Sequence, residues 1–288
     1  MNQLTNDLQT KITRRKTISL LAASGLFSLP VLGSLNSKAN NLPQKHSEQM
    51  KGLMSNEGVF KKTIGILGGL GPQATIDLET RIHKIAQQRV RPAQNSNYPA
   101  MVVHYYRHAP VLLADEHTPV FPFQPDPRLM NAARILGQSA DFILIASNGV
   151  HMFQTEIEEA SGKKVLSMID STIDEVKKKG WKKVGALGLM NAQVYTKRLE
   201  QLNIGFETID DALQMKLNQS IFRVMEGTET NEDRAIAREA INQLRGKKCD
   251  GIIPGCTEIP LLLGEYMNAD DIINPAQLIA ETAVEYSL

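Results

Sequence analysis

From residue 61 onward the apolar positions switch between two periods. Short apolar runs read as buried strands: KKTIGILGG (61–69), YPAMVVHYY (98–106), DFILIAS (141–147), KKVGALGL (182–189), GFETI (205–209) and DGIIPG (250–255). Between them lie PQATIDLETRIHKIAQQ (72–88), DPRLMNAARILGQSA (126–140), GVHMFQTEIEEAS (149–161), QVYTKRLEQLN (193–203), DALQMKLNQSIFRVMEG (211–227) and NEDRAIAREAINQLRGKK (231–248). Their apolar residues recur at helical spacing, and Pro72 suits a first helical turn. Short apolar strands alternating with amphipathic helices predict an α/β protein with parallel sheets covered on both faces.

The pattern also repeats. IGILG from Ile64 matches VGALG from Val184, with glycine at 65 and 185 and again at 68 and 188. Further on, ADFILIASNGV (140–150) and CDGIIPGCTEI (249–259) align without a gap, so Asp141 falls on Asp250, Ser147 on Cys256 and Asn148 on Thr257. Two matched pairs in the same order point to duplication, and so to two similar Rossmann-like α/β domains. The first is expected over residues 61–167, completed by 268–288, and the second over 168–267. Ligands gather at the carboxyl ends of strands in such sheets. Ser147 and Cys256 are therefore expected to face one another across a cleft between the domains, each followed by a residue of helix-capping type.

Composition narrows the classes of function. A formal net charge of +1, with 22% charged and 42% hydrophobic residues, describes a globular protein and not a nucleic-acid binder. Residues 1–39 look unlike the rest: Arg14 and Arg15 precede an apolar stretch from Ile18 to Leu32 and a small-residue end at Ala39. That layout is expected to be a twin-arginine export signal, followed by a polar linker over 40–60. The apolar stretch is interrupted and short of the ~20 residues a membrane span needs, so no membrane insertion is expected after cleavage and the expected location is the periplasm. The chain has two cysteines, Cys249 and Cys256. Seven steps along an extended segment separate them by roughly 23 Å, against the ~7 Å limit for a disulfide, so Cys256 reads as a free thiol.

Candidate chemistry follows from the strand ends. Cys256 at a strand-to-helix junction is expected to have a lowered pKa, because unpaired backbone N–H groups favour thiolate. The GGLGP turn matches neither dinucleotide nor P-loop spacing. It is instead expected to bring backbone amides, those of Gly69 and Gly71 among them, to the cleft floor to hold a carboxylate. His104, His108, His117 and His151 lack ligand spacing and no C-x-x-C occurs, so no metal is expected.

Through IGILGGLGPQAT (64–75), DPRLMNAARILGQSADFILIASNGVH (126–151) and DGIIPGCTEIPLLL (250–263), the chain resembles the cofactor-independent aspartate/glutamate racemases of the Asp/Glu/hydantoin racemase superfamily. The resemblance implies a homodimer and, within each chain, two cysteines, one from each domain, on either side of the substrate α-carbon, with no pyridoxal phosphate or metal. It implies that Cys256 moves the α-proton and that Asn148 and Thr257 help hold the α-carboxylate. Glu258 and His151 would tune or relay. The sequence departs from the family where Ser147 replaces the first cysteine. A hydroxyl is roughly 10 kcal/mol harder to ionise than a thiol, so Ser147 serves as a donor or relay and not as a simple base. The family's Pro-Asp-Arg element is replaced by RHAPVLLADEH (107–117), where Arg107 is the candidate substitute grip, and its Thr-rich loop by GLMNAQVY (188–195). Both changes argue against a second substrate carboxylate. Three functions stay open: an amino-acid racemase, a single-cysteine decarboxylase or isomerase of a small carboxylic acid, and a non-catalytic small-acid binding protein.

Overall fold

The computed structural model describes residues 59–91, 96–116 and 118–288, the side chains of residues 190 and 191 excepted. The export signal and all but the end of the linker lie outside the described residues.

Each apolar run named above contains a strand. β1 (Ile64–Gly68), β2 (Met101–Tyr105), β3 (Phe142–Ile145) and β4 (Val165–Leu166) form one sheet in the order β2-β1-β3-β4. β5 (Lys183–Leu187), β6 (Gly205–Glu207) and β7 (Gly251–Pro254) form a second in the order β6-β5-β7. All neighbours are parallel. β1, β3 and β7 are buried throughout, which is why they read as continuous apolar runs and not as alternating ones.

The helices are α1 (Pro72–Arg89), α2 (Pro127–Gly137), α3 (Gln154–Ser161), α4 (Met168–Lys178) and α5 (Gln193–Gln201). They continue with α6 (Asp211–Glu226), α7 (Asn231–Gly246), α8 (Ile259–Leu263) and α9 (Pro275–Ser287). The C-terminal helix α9 returns to the first sheet, where Ile279, Ala280, Ala283 and Val284 join Ile64, Ile66, Leu78 and Ile82 in one buried cluster. Met168 of α4 belongs to that cluster, while Ile169, Ile173 and Val176 pack with Val184, Ala186 and Tyr195 beside the second sheet. α4 thus has a core on each side, and the expected boundary at residue 167 falls at its first turn.

The sequence repeat has a structural image. In both sheets the repeated glycine strand is flanked by two others, β1 by β2 and β3, β5 by β6 and β7. The aligned aspartates perform the same task. Asp141 accepts from the Thr63 N–H at 2.7 Å, and Asp250 accepts from Lys182 and Lys183 N–H at 2.6 and 2.9 Å. Each pins the entrance of its central strand. At the far end, Ala146 N–H donates to Leu67 C=O and Gly255 N–H to Leu187 C=O, again at aligned positions.

Two stretches differ from the sequence expectation. Residues 149–161 are not one helix: a 3-10 turn (Gly149–Phe153) precedes α3, with the His151 ring folded back onto the Ser147 carbonyl. Residues 165–178, outside every run named above, form β4 and α4, and Ser167 caps α4 by accepting from the Asp170 N–H at 3.2 Å.

Candidate active site

The carboxyl ends of β1, β3, β5 and β7 meet. Gly71, which follows β1 and precedes α1, lies so close to Glu258 that a Cβ there would stand 2.0 Å from Oε1. Its backbone is extended (φ −148°), so the demand for glycine is steric and not conformational. Asn148, after β3, accepts at Oδ1 from the Tyr195 hydroxyl of α5 at 2.6 Å. The Tyr195 ring packs in turn on Gly255, after β7, where a Cβ would meet Cδ2 at 2.7 Å. These contacts bring Gly71, Asn148, Tyr195, Gly255 and the Cys256–Thr257–Glu258 segment together, with Ser147 adjoining through Asn148.

Cys256 donates its S–H to Glu258 Oε2 at 3.1 Å, and the Thr257 hydroxyl donates to the same oxygen at 3.0 Å. These contacts are joined by the backbone N–H groups of Glu258 and Leu189, which act to lower the thiol's pKa. These donors favour thiolate, as the sequence argument expected, but they lose. Burial above all, and then the adjoining carboxylate, push the thiol well above its ordinary range, which overturns the expected lowering. The helix beyond is also a poor source of field: α8 spans five residues and begins only at Ile259. Glu258 is 2% exposed, and burial raises its pKa too. A thiol and a carboxyl group therefore stand in contact, each resisting charge.

On the β3 side, Ser147 is half-buried, and among the described residues none bonds its hydroxyl. Asn148 and Thr257 do not cap helices with their side chains, contrary to expectation, because both are engaged within the site. Asn148 is 2% exposed, and its Nδ2 is buried without a partner among the described residues. Leaving such a donor empty costs about 1–3 kcal/mol, a cost that a ligand's carboxylate would remove. His151 cannot relay a proton as expected. Its Nε2 accepts from the Met168 N–H at 3.1 Å, so Nδ1 carries the proton and donates to the Ser147 carbonyl at 2.7 Å. Burial of the ring depresses its pKa to about 4 in spite of the bond to the Ser147 carbonyl, and the ring staples the β3 turn to α4. Gly69 also departs from expectation: its N–H donates to Thr75 Oγ1 at 2.8 Å, and its positive φ (79°) lets the turn press on the Tyr106 backbone. It shapes the turn and offers no free amide.

Three participants lie outside the sequence reading. The Gly188–Leu189 peptide presents its N–H to Cys256 while its carbonyl accepts from Gln214 Nε2 at 2.9 Å, so Gln214 of α6 holds the thiol's amide donor in place. Gln214, Leu189 and Tyr195 sit at apolar or helical positions with no local motif. Only the GLMNAQVY departure marked the region of Leu189 and Tyr195, and nothing marked Gln214. Arg107 is exposed and lies over the Tyr105 ring, and Arg128 is held by Asp126 through bonds of 2.9 and 2.7 Å. Among the described residues, no group of three or more His, Cys, Asp and Glu side chains is arranged to hold a metal ion.

Comparison with known proteins places this geometry. A broad specificity amino-acid racemase from Bacillus subtilis is 24% identical over 229 residues, covering 77% of this chain and 96% of its own. The structure of an aspartate racemase from Picrophilus torridus superposes with a TM-score of 0.63 at 24% identity, covering 78% of this chain and 94% of that one. An aspartate racemase homologue from Pyrococcus horikoshii gives 0.59 at 23%, covering 78% and 99%. At these identities the structural likeness is one of fold. The model of the Asp/Glu/Hydantoin racemase family matches residues 67–283, and the chain belongs to that family, as an isomerase of the racemase type.

Proposed function

We propose that this protein is a cofactor-independent amino-acid racemase in which Cys256 moves the α-proton and Ser147 occupies the opposite face. The observation that carries this reading is the Cys256–Glu258 contact. Passing the thiol proton to Glu258 breaks S–H, forms O–H and moves a negative charge from one buried atom to its neighbour, so no net charge is created in the site. The thiolate then takes the α-proton while the Asn148 Nδ2 binds the α-carboxylate, joined by the Thr257 hydroxyl, which Glu258 releases as its oxygen takes the thiol proton; these donors stabilise the carbanion. Reprotonation from the Ser147 side draws on a water held by its hydroxyl. The hydroxide that remains is neutralised by the proton that Cys256 and Glu258 release.

Neutral amino acids are the proposed substrates. Arg128 is engaged with Asp126, and Arg107 stacks on Tyr105, so neither is a ready grip for a second carboxylate. The B. subtilis relative, described as broad in specificity, fits this. A second reading is favoured by Ser147 itself: a site with one thiol suits protonation of a carbanion made by decarboxylating a malonate-type acid, or isomerisation of a double bond.

The deciding experiment is proton NMR of the purified protein in deuterated water with amino acids of both hands. Loss of the α-proton signal, abolished by Cys256→Ser, is expected, followed by appearance of the opposite enantiomer. No exchange with any amino acid would sink the racemase and turn the test to malonate-type acids. Export through residues 1–39 and a homodimeric state belong to the same proposal. N-terminal sequencing of the mature protein and light scattering test them.

A further inference from the structure

We infer that Tyr195 is a positioning residue for the substrate carboxylate. It fixes the side-chain amide of Asn148 so that Nδ2 faces the ligand, and it links that amide to the loop carrying Cys256. The inference rests on the reading of Asn148 as a carboxylate donor. Tyr195 is fully buried, and a phenol so placed must find a partner for its hydroxyl. It donates to Asn148 Oδ1 at 2.6 Å, shorter than usual for such a bond. Once Oδ1 is engaged the carboxamide has one remaining orientation, with Nδ2 directed away from Tyr195, and that atom is buried with no protein partner among the described residues. The Thr172 hydroxyl, 3.3 Å from the phenol oxygen, donates to the Met168 carbonyl of α4 and holds the other side.

The same ring makes the second contact, on Gly255, whose N–H is tied to the Leu187 carbonyl at 2.6 Å. One side chain on α5 therefore touches the residue after Ser147 and the residue before Cys256. Substrate bound to Asn148 presses, through Tyr195, on the turn that positions the thiol.

The test is a double-mutant cycle on the full chain, read by equilibrium binding of propionate, the carboxylate shared by amino acids and malonate-type acids. Tyr195→Phe keeps the ring on Gly255 and removes the hydroxyl. It should weaken propionate about tenfold, the size of one net hydrogen bond, and should change nothing further in an Asn148→Ala background. Equal weakening in both backgrounds, or none in either, overturns the proposal. Should Tyr195→Phe fail to fold, 3-fluorotyrosine at position 195 keeps the hydroxyl. Its fluorine resonance should move on adding propionate and stay still in Asn148→Ala. A resonance that propionate leaves unmoved in the otherwise unaltered protein also overturns it. If no amino acid exchanges its α-proton while the propionate cycle holds, the racemase reading fails and the role of Tyr195 stands.

Discussion

The ends of β3 and β7 occupy equivalent places in their sheets and are anchored by equivalent bonds, from Ala146 to Leu67 and from Gly255 to Leu187. One residue further on they part. After β7 comes a thiol in contact with a buried carboxylate. After β3 comes a hydroxyl that none of the described residues bonds, next to an amide aimed into the site. The scaffold is symmetric because backbone hydrogen bonds and apolar burial set it, and these tolerate Ser in place of Cys. The two side chains are not equivalent as acids: a free hydroxyl and a free thiol differ by roughly seven pKa units, a gap that burial of Cys256 narrows without closing.

The largest test breaks the comparison outright. Cys256→Ser makes both faces hydroxyls and should cut α-proton exchange by about 10³-fold or more. Ser147→Ala should cost far less exchange, and equal losses would mean that both faces carry the proton.

Acidification destabilises the β3 side through His151. Neutral His151 is held with a pKa near 4, against 6.5 in the unfolded chain. The unfolded state thus binds the proton first. The contribution is intact above pH 6.5 and is lost as pH falls towards 4, by about 3 kcal/mol in all. Urea unfolding at pH 7 and pH 4.5 measures it, and a His151→Gln protein should show a flatter profile.

Glu258→Gln sharpens the β7 side. The carboxylate raises the thiol pKa and also accepts its proton. Its loss should move the pH midpoint of iodoacetamide labelling downward while slowing exchange about 10²-fold. A labelling midpoint that does not move would remove Glu258 from the proton path. The smallest effect is expected from Ser147→Cys, which restores thiols to both faces. Interconversion of enantiomers should rise about tenfold relative to exchange, at the low end of acid–base catalysis, as read by chiral chromatography beside the NMR assay.

Much of the fold was legible because burial writes itself into local pattern. Phe142–Ile145 and Gly251–Pro254 are buried on both faces, so they appear as unbroken apolar runs. Asp141 and Asp250 aligned because they make the same strand-entrance bonds. β4 escaped because two residues carry no period, and its strand exists only through its pairing with β3. At the site, residue types were readable but their states were not. The thiol was expected to ionise easily from its place in the chain, whereas burial and a carboxylate two residues along decide the opposite. His151 was expected to relay, until Met168 N–H and the Ser147 carbonyl took both nitrogens.

By itself, then, the sequence determined the α/β class, the internal repeat, and the positions of Ser147 and Cys256 at matching strand ends. Each of these rests on periodicity within a segment or on residue identity between two segments, and both can be read without knowing any contact. The tertiary structure alone decided that Glu258 needs glycine at position 71, that Gln214 holds the amide facing the thiol, and that Tyr195 aims Asn148. Those pairs lie 26 to 187 residues apart in the chain. Their energies depend on distance and burial, which no local pattern encodes.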